Sequence, residues 1–190
     1  MVSVDDQLFA GTARDDGRLV TLRLAARPAP GFELISLAAR RVPNAPNKAE
    51  LFAATRQSVF RVFLDPLNRW RVEEVKLGTN ADFLELWVTD GNRARVADRS
   101  GVVYSLPSGL VLATAPPDAG AAQDYLSTCG REFALFAKDA FVLGPAERGT
   151  ARWTPLGLAP DQFEGGRLFE GGGLLVFGAG GDAQKIPCAR

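Results

Sequence analysis

A short apolar motif returns five times along this chain, and its period limits the folds open to it. The motif is Leu8-Phe9-Ala10-Gly11-Thr12, then Leu51-Phe52-Ala53-Ala54-Thr55, Leu86-Trp87-Val88-Thr89, Tyr125-Leu126-Ser127-Thr128 and Leu168-Phe169-Glu170-Gly171. Starts near 8, 51, 86, 125 and 168 are separated by 43, 35, 39 and 43 residues. A repeat of that length is one supersecondary unit that buries its apolar faces only against its neighbours.

Each copy is followed by a second alternating run: Arg18 to Leu24, Ser58 to Leu64, Arg93 to Ala97, Glu132 to Ala137 and Leu174 to Phe177. A third run opens with an aromatic residue at Phe32, Trp70 and Trp153, and Val102-Val103-Tyr104 takes its place in the third copy. β-Branched and aromatic residues at a period near two predict strands. Asp16-Gly17 and Asp90-Gly91 supply hairpin turns. Three or four short strands in about forty residues describe a β-propeller blade. The expected fold is therefore all-β, one domain over 1–190, a propeller of five short blades averaging about 38 residues. Val2-Ser3-Val4 has no evident partner in the first copy. Pairing of this N-terminal strand with the C-terminal blade would close the ring and remove an exposed edge. The alternative is a fragment of a larger propeller.

Two segments compete with the strand reading. Asn47-Lys48-Ala49-Glu50 has the form of a helix capping box, and Ala119 to Ala122 favours helix. Register across five copies argues for strands. Gly178-Ala179-Gly180-Gly181-Asp182-Ala183 fits a dinucleotide fingerprint, but only seven residues follow it. A nucleotide site needs a helix and a second strand there, so a β-turn is expected instead.

The segment Gly149-Thr150-Ala151-Arg152-Trp153-Thr154-Pro155-Leu156-Gly157-Leu158 resembles the tail of an Asp-box repeat of sialidase-like propellers, Ser-x-Asp-x-Gly-x-Thr-Trp. Asn68-Arg69-Trp70 is a fainter copy. No copy carries the Ser-x-Asp half. The resemblance implies the propeller architecture and carries no activity, because the Asp-box is a structural turn in that family.

Composition narrows function by exclusion. There is no histidine, which removes Ser-His-Asp and Cys-His nucleophiles and imidazole-bound zinc. Lys plus Arg and Asp plus Glu are both 22, so bulk electrostatics favours neither nucleic acid nor an anionic membrane as partner. Cys129 and Cys188 lack zinc spacing, and two small buried thiols are expected, with a single disulfide as the alternative. No basic region followed by an apolar segment opens the sequence, which favours the cytoplasm over a processed secreted form.

Candidate site residues come from the start of each motif. Asp6, Glu50, Glu85 and Asp124 each stand one or two residues before it, and Arg167 replaces them in the fifth copy. If these strands are innermost, the carboxylates share one rim of the channel. They could then bind sugar hydroxyls, or calcium through oxygen ligands, although no cofactor is required. The bland alternative is solvated ion pairing with neighbouring arginines. Trp87, on the same strand, is a candidate stacking platform, whereas Trp70 and Trp153 are expected to pack between blades. Thr12, Thr55, Thr89 and Thr128 are expected to hydrogen-bond between neighbouring blades or to cap turns. Arg93, Arg95 and Arg99 are expected to form a solvated hairpin face blunted by Asp90 and Asp98. The sequence thus points to a non-catalytic module that recognises a protein surface or carbohydrate. The rival is a small carboxylate-dependent glycoside hydrolase, which requires two of the four acids in one pocket and a raised pKa.

Overall fold

In the computed structural model, alternation at period two governs the whole chain: every regular element is a strand, and no helix occurs among the described residues. Those are residues 2–4, 7–13, 19–26, 33–77, 81–144, 150–157, 163–169, 173–178, 181 and 183–187, with the backbone alone described at 2–4, 7–13, 19–26, 46–47, 163–169, 173 and 178.

The strands form five antiparallel sheets, each from consecutive strands. The first holds β1 (Val2–Val4), β2 (Gln7–Ala13) and β3 (Leu19–Ala26). The second holds β4 (Ser36–Val42), β5 (Ala45–Ala54), β6 (Val59–Leu64) and β7 (Trp70–Val75). The third holds β8 (Phe83–Val88), β9 (Ala94–Asp98), β10 (Val103–Leu106) and β11 (Leu110–Ala113). The fourth holds β12 (Ala122–Thr128), β13 (Arg131–Phe136), β14 (Ala140–Leu143) and β15 (Trp153–Pro155). The fifth holds β16 (Phe163–Phe169), β17 (Gly173–Gly178) and β18 (Ala183–Ile186).

Local chemistry sets the turns. Asp90-Gly91 joins β8 to β9 as expected, and Thr89 Oγ1 accepts from Arg93 N at 3.3 Å to close that hairpin. Thr55 Oγ1 accepts from Gln57 N and Ser58 N at 3.2 and 2.9 Å, so these two threonines cap turns. Asp16-Gly17 lies outside the described residues. The Gly-rich tail separates β17 from β18, which pair as a hairpin, so the fingerprint there opens no helix.

Apolar burial lies between sheets. Phe52, Ala54 and Val59 of the second sheet pack with Phe83, Leu86, Val96 and Tyr104 of the third. Trp87, Ala97 and Val103 of the third pack with Tyr125, Phe136 and Trp153 of the fourth. Phe133 and Leu135 of the fourth pack with Leu174 and Val176 of the fifth. Fully burying one such side chain stabilises by about 1.5–3 kcal/mol, so each inter-sheet seam carries a large share of the total. The first strands touch: β4 lies against β8, and β12 against both β8 and β16.

Three expectations are corrected. First, Val2–Val4 does have a partner in its own copy: β1 pairs with β2, the next strand of the chain, with Val2 opposite Phe9 and Val4 opposite Gln7. A tight hairpin costs far less closure entropy than pairing across the full chain length. Pairing of β1 with a C-terminal strand is not seen among the described residues. Second, the five motif copies do not share a strand position. Leu86-Trp87 and Tyr125-Leu126 lie on the first strand of their sheets, but Leu8-Phe9 and Leu51-Phe52 lie on the second. The strand overlooked is β4, Ser-Leu-Ala-Ala-Arg-Arg-Val, whose alternation is between half-buried and exposed positions rather than apolar and polar ones. Third, Cys129 is disulfide-bonded, so it is not the buried free thiol expected; the other cysteine, Cys188, lies outside the described residues.

Candidate functional site

The three acids among the described residues, Glu50, Glu85 and Asp124, divide between two environments. Glu50 is on β5 and is fully buried. Its Oε1 accepts from Arg40 Nε at 2.6 Å, and its Oε2 accepts from Arg61 Nε, so strands β4 and β6 clamp it from both sides. Arg40 also lies over the Phe52 ring and Arg61 over the Phe63 ring. Both carboxylate oxygens are used in holding the sheet together, and Glu50 does not join the other acids. Asp6 lies outside the described residues.

Glu85 and Asp124 do come together, on the touching first strands β8 and β12. Each follows a break in the ladder: the register shifts between Phe83 and Glu85, and again between Ala122 and Asp124. The same irregularity recurs on β16 between Phe163 and Gly165. A bulge leaves a backbone amide without its ladder partner and re-aims the next side chain. The acids answer this locally: Glu85 Oε1 accepts from Leu86 N at 3.2 Å, and Asp124 Oδ1 accepts from Tyr125 N at 2.8 Å. The recurring carboxylate therefore has a structural role before any other. Ser36, on β4, extends the cluster by donating its hydroxyl to Glu85 Oε1 at 2.6 Å, and its oxygen accepts from Leu86 N at 3.1 Å. Burial pushes the Glu85 carboxyl above its usual range, the nearby Asp124 charge adds to this, and the Ser36 and Leu86 hydrogen bonds oppose it. Ser36, Glu85 and Asp124 thus bring polar groups from three first strands together. No group of three or more metal-ligating side chains occurs among the described residues.

Trp87 is placed in the core. It is 8% exposed, stacks on Tyr125 at 5.4 Å between centroids and 9° between planes, and donates its indole N–H to Glu132 Oε2 at 3.0 Å. Its face and its N–H are both occupied by the fourth sheet, so it offers no stacking platform here. Trp153 packs in the same cluster, as expected of it, and Trp70 against Leu51, Ala53 and Val62.

The arginine cluster departs furthest from expectation. Arg99 is on the surface and pairs with Asp82 at 3.2 Å. Arg95 is 4% exposed, on a strand buried at every position. Asp90 and Asp98 do not neutralise it: Asp90 Oδ2 accepts from Gly130 N at 2.7 Å, and Asp98 Oδ1 accepts from Ser100 and Val102. Instead Glu132 of the next sheet faces it, with Oε2 3.6 Å from Arg95 Nε. The run Ala94-Arg95-Val96-Ala97, with small apolar residues on both sides of the arginine, is the signal that this strand is buried on both faces.

Comparison with known structures fits this architecture. The catalytically inactive variant of virginiamycin B lyase from Staphylococcus aureus, in complex with quinupristin, superimposes with a TM-score of 0.61 at 9% identity, over 97% of this chain and 64% of that one. YCF48 bound to D1 peptide gives 0.60 at 14% identity, over 97% and 60%. The Dos1 propeller gives 0.57 at 10% identity, over 96% and 48%. The fold is a β-propeller. At these identities the likeness extends to the fold alone, and the chain spans at most about two-thirds of the length of these three proteins. No family profile matches the sequence, and no curated protein does. No helix among the described residues is long and apolar enough to cross a membrane.

Proposed function

We propose that this chain is a non-catalytic recognition module, a propeller of five short blades whose first strands surround the ligand. The observation that carries the reading is the convergence of Ser36, Glu85 and Asp124 from three touching first strands, two of them bulged at the acid. Bulges are used in this way to aim side chains at a ligand. Glu85 is half-buried beside a second carboxylate, so its ionised form is under-compensated. A cation would relieve Glu85. The ligand is a protein segment presenting a lysine or arginine side chain at this rim. A propeller of similar fold, YCF48, is seen bound to a peptide. Carbohydrate hydroxyls are the other ligand chemistry the same groups suit.

A second reading draws on the raised Glu85 pKa. A glycoside hydrolase needs one protonated and one ionised carboxyl flanking a bond. Here, however, Glu85 Oε1 is committed to Ser36 and Leu86, and Asp124 Oδ1 to Tyr125. Chemistry of the lyase kind has less support still. The histidine-to-alanine variant of that lyase is catalytically inactive, and this sequence contains no histidine.

The test is a thermal-unfolding screen against lysine-rich peptides, a saccharide panel and calcium, repeated with Glu85→Gln and Asp124→Asn. A peptide at a hundred times its dissociation constant should add about 2.7 kcal/mol. The shift should vanish in both variants. A shift with saccharides alone would move the reading to carbohydrate, and turnover of a saccharide would move it to the hydrolase. No shift with any of these ligands would remove the rim as a binding site.

A further inference from the structure

We propose a second site, a carboxylate-binding cleft between the third and fourth sheets, suited to a peptide chain end with an apolar side chain. The cleft has a volume of about 530 Å³ and is away from the acid rim. Arg93, Arg95 and Arg131 line it together with Leu112, Val142, Leu143 and Ala151.

The electrostatics of Arg95 point to a missing anion. Its Nη1 donates to Ser105 Oγ at 3.0 Å and, weakly, to Ala94 O at 3.4 Å. Its Nε is buried and has no hydrogen-bond partner among the described residues. Glu132, the acid in the lining, stands 3.6 Å from that nitrogen, and the same oxygen accepts from Trp87. That distance is too long for a hydrogen bond, so the pair gains Coulomb energy without directional contact. Burial disfavours the Arg95 charge, the Glu132 charge supports it in part, and the Arg93 and Arg40 charges oppose it. A folded chain leaves a buried guanidinium so poorly matched only at a cost. An incoming carboxylate, accepting from guanidinium groups in the fork geometry they favour, would offset that cost.

The apolar part of the cleft selects among anions. A phosphate ion would leave Leu112, Val142 and Leu143 beside water, whereas a C-terminal leucine would cover them. Carboxylate and apolar side chain sit on the same carbon in a chain end, which matches a lining that holds both arginines and apolar side chains.

The test uses the whole chain and two probes, N-acetyl-Gly-Gly-Leu with a free C-terminal carboxylate and the same peptide as its amide, followed by calorimetry. The acid should bind and the amide should bind at least tenfold more weakly, one charge-assisted hydrogen bond being worth about that factor. Arg93→Gln and Arg131→Gln, both at exposed positions where substitution leaves folding intact, should each weaken the acid form about fivefold to tenfold. Glu132→Gln retains an acceptor for the Trp87 indole but removes the internal competitor. It should tighten binding about threefold or more, a gain that a purely structural role for Glu132 does not produce. Equal binding of acid and amide, absence of saturable binding by the acid at millimolar concentration, or weaker binding in Glu132→Gln would overturn the proposal. Inorganic phosphate displacing the peptide at equal concentration would overturn the assignment to a chain end.

Discussion

Replacing Glu50 with alanine should unfold the second sheet's centre more than any functional rim could explain. The side chain is 1% exposed, and it neutralises Arg40 and Arg61, whose side chains are 10% and 28% exposed. Breaking a buried pair by removing one partner costs about 3–5 kcal/mol, because the remaining charge stays desolvated. Here two charges lose their partner, but Arg61 can turn toward solvent and has Glu73 within 4.0 Å. Arg40 has the Leu106 carbonyl at 3.3 Å as its remaining acceptor. These outlets place the loss near the lower limit, about 3 kcal/mol. For a chain of this size that is a fall of roughly 6–12 °C in melting temperature. Glu50→Gln keeps the shape and one acceptor and should lose about 1–2 kcal/mol. Replacing the trio together, Glu50→Leu with Arg40→Met and Arg61→Met, should recover most of the loss, since no charge is then left unpaired. Urea unfolding of the three variants is the assay. A Glu50→Ala protein within about 0.5 kcal/mol of the parent would refute the clamp, that being the range of an ordinary surface change.

Four further outcomes follow from the same structure. Glu85 binds its proton more tightly folded than unfolded, so its ionisation opposes folding; stability should fall as pH rises through 4.5 and the raised folded value, and melting curves of Glu85→Gln should lack that component. Asp65 runs the opposite way: the Leu67 and Arg69 amides and the Arg69 and Arg71 side chains hold its carboxyl down at about 2, so its contribution is present above 3.8 and lost as pH falls toward 2, and Asp65→Asn should flatten that limb of the pH–stability curve. Gly101 has φ +87°, and a Cβ there would lie 2.5 Å from that of Ala115 and 2.8 Å from Phe136, so Gly101→Ala should cost about 2 kcal/mol or more in urea titrations. Trp87→Phe should retain the stack on Tyr125 and lose about 1 kcal/mol with the Glu132 hydrogen bond, whereas Trp87→Ala should lose about 3–5 kcal/mol.

Strand content was legible because β-branched and aromatic residues alternate in β6, β8, β12 and β13, where one face is buried against a neighbouring sheet. The capping-box appearance of Asn47 to Glu50 yielded to this: the segment is part of β5, and Glu50 there answers two arginines rather than a helix terminus. Strand β4 escaped notice because its inward residues are Ser36, Ala38 and Arg40, none of which advertises burial. That omission shifted the register of the early copies and put Glu50 on the wrong strand for a shared rim. Glu85 and Asp124 were found because they keep one spacing to their motifs. Ser36 and Glu132 were not, since each owes its place to contact between sheets that no local pattern encodes. Arg95 was seen, but its exposure was misjudged: an arginine in a hairpin reads as solvated until the strand around it is known to be covered on both faces.

The location of the apolar clusters in the seams has a consequence for inheritance as well as stability. Each inner sheet contributes to two cores, and among the described residues no core gathers residues from all five. A substitution in one seam is felt by two sheets and is silent in the rest, so neighbouring sheets must change together while distant ones drift apart. Sheets can in this way differ in sequence and keep a common shape, which suits a repeat rhythm of about forty residues with few residues in common.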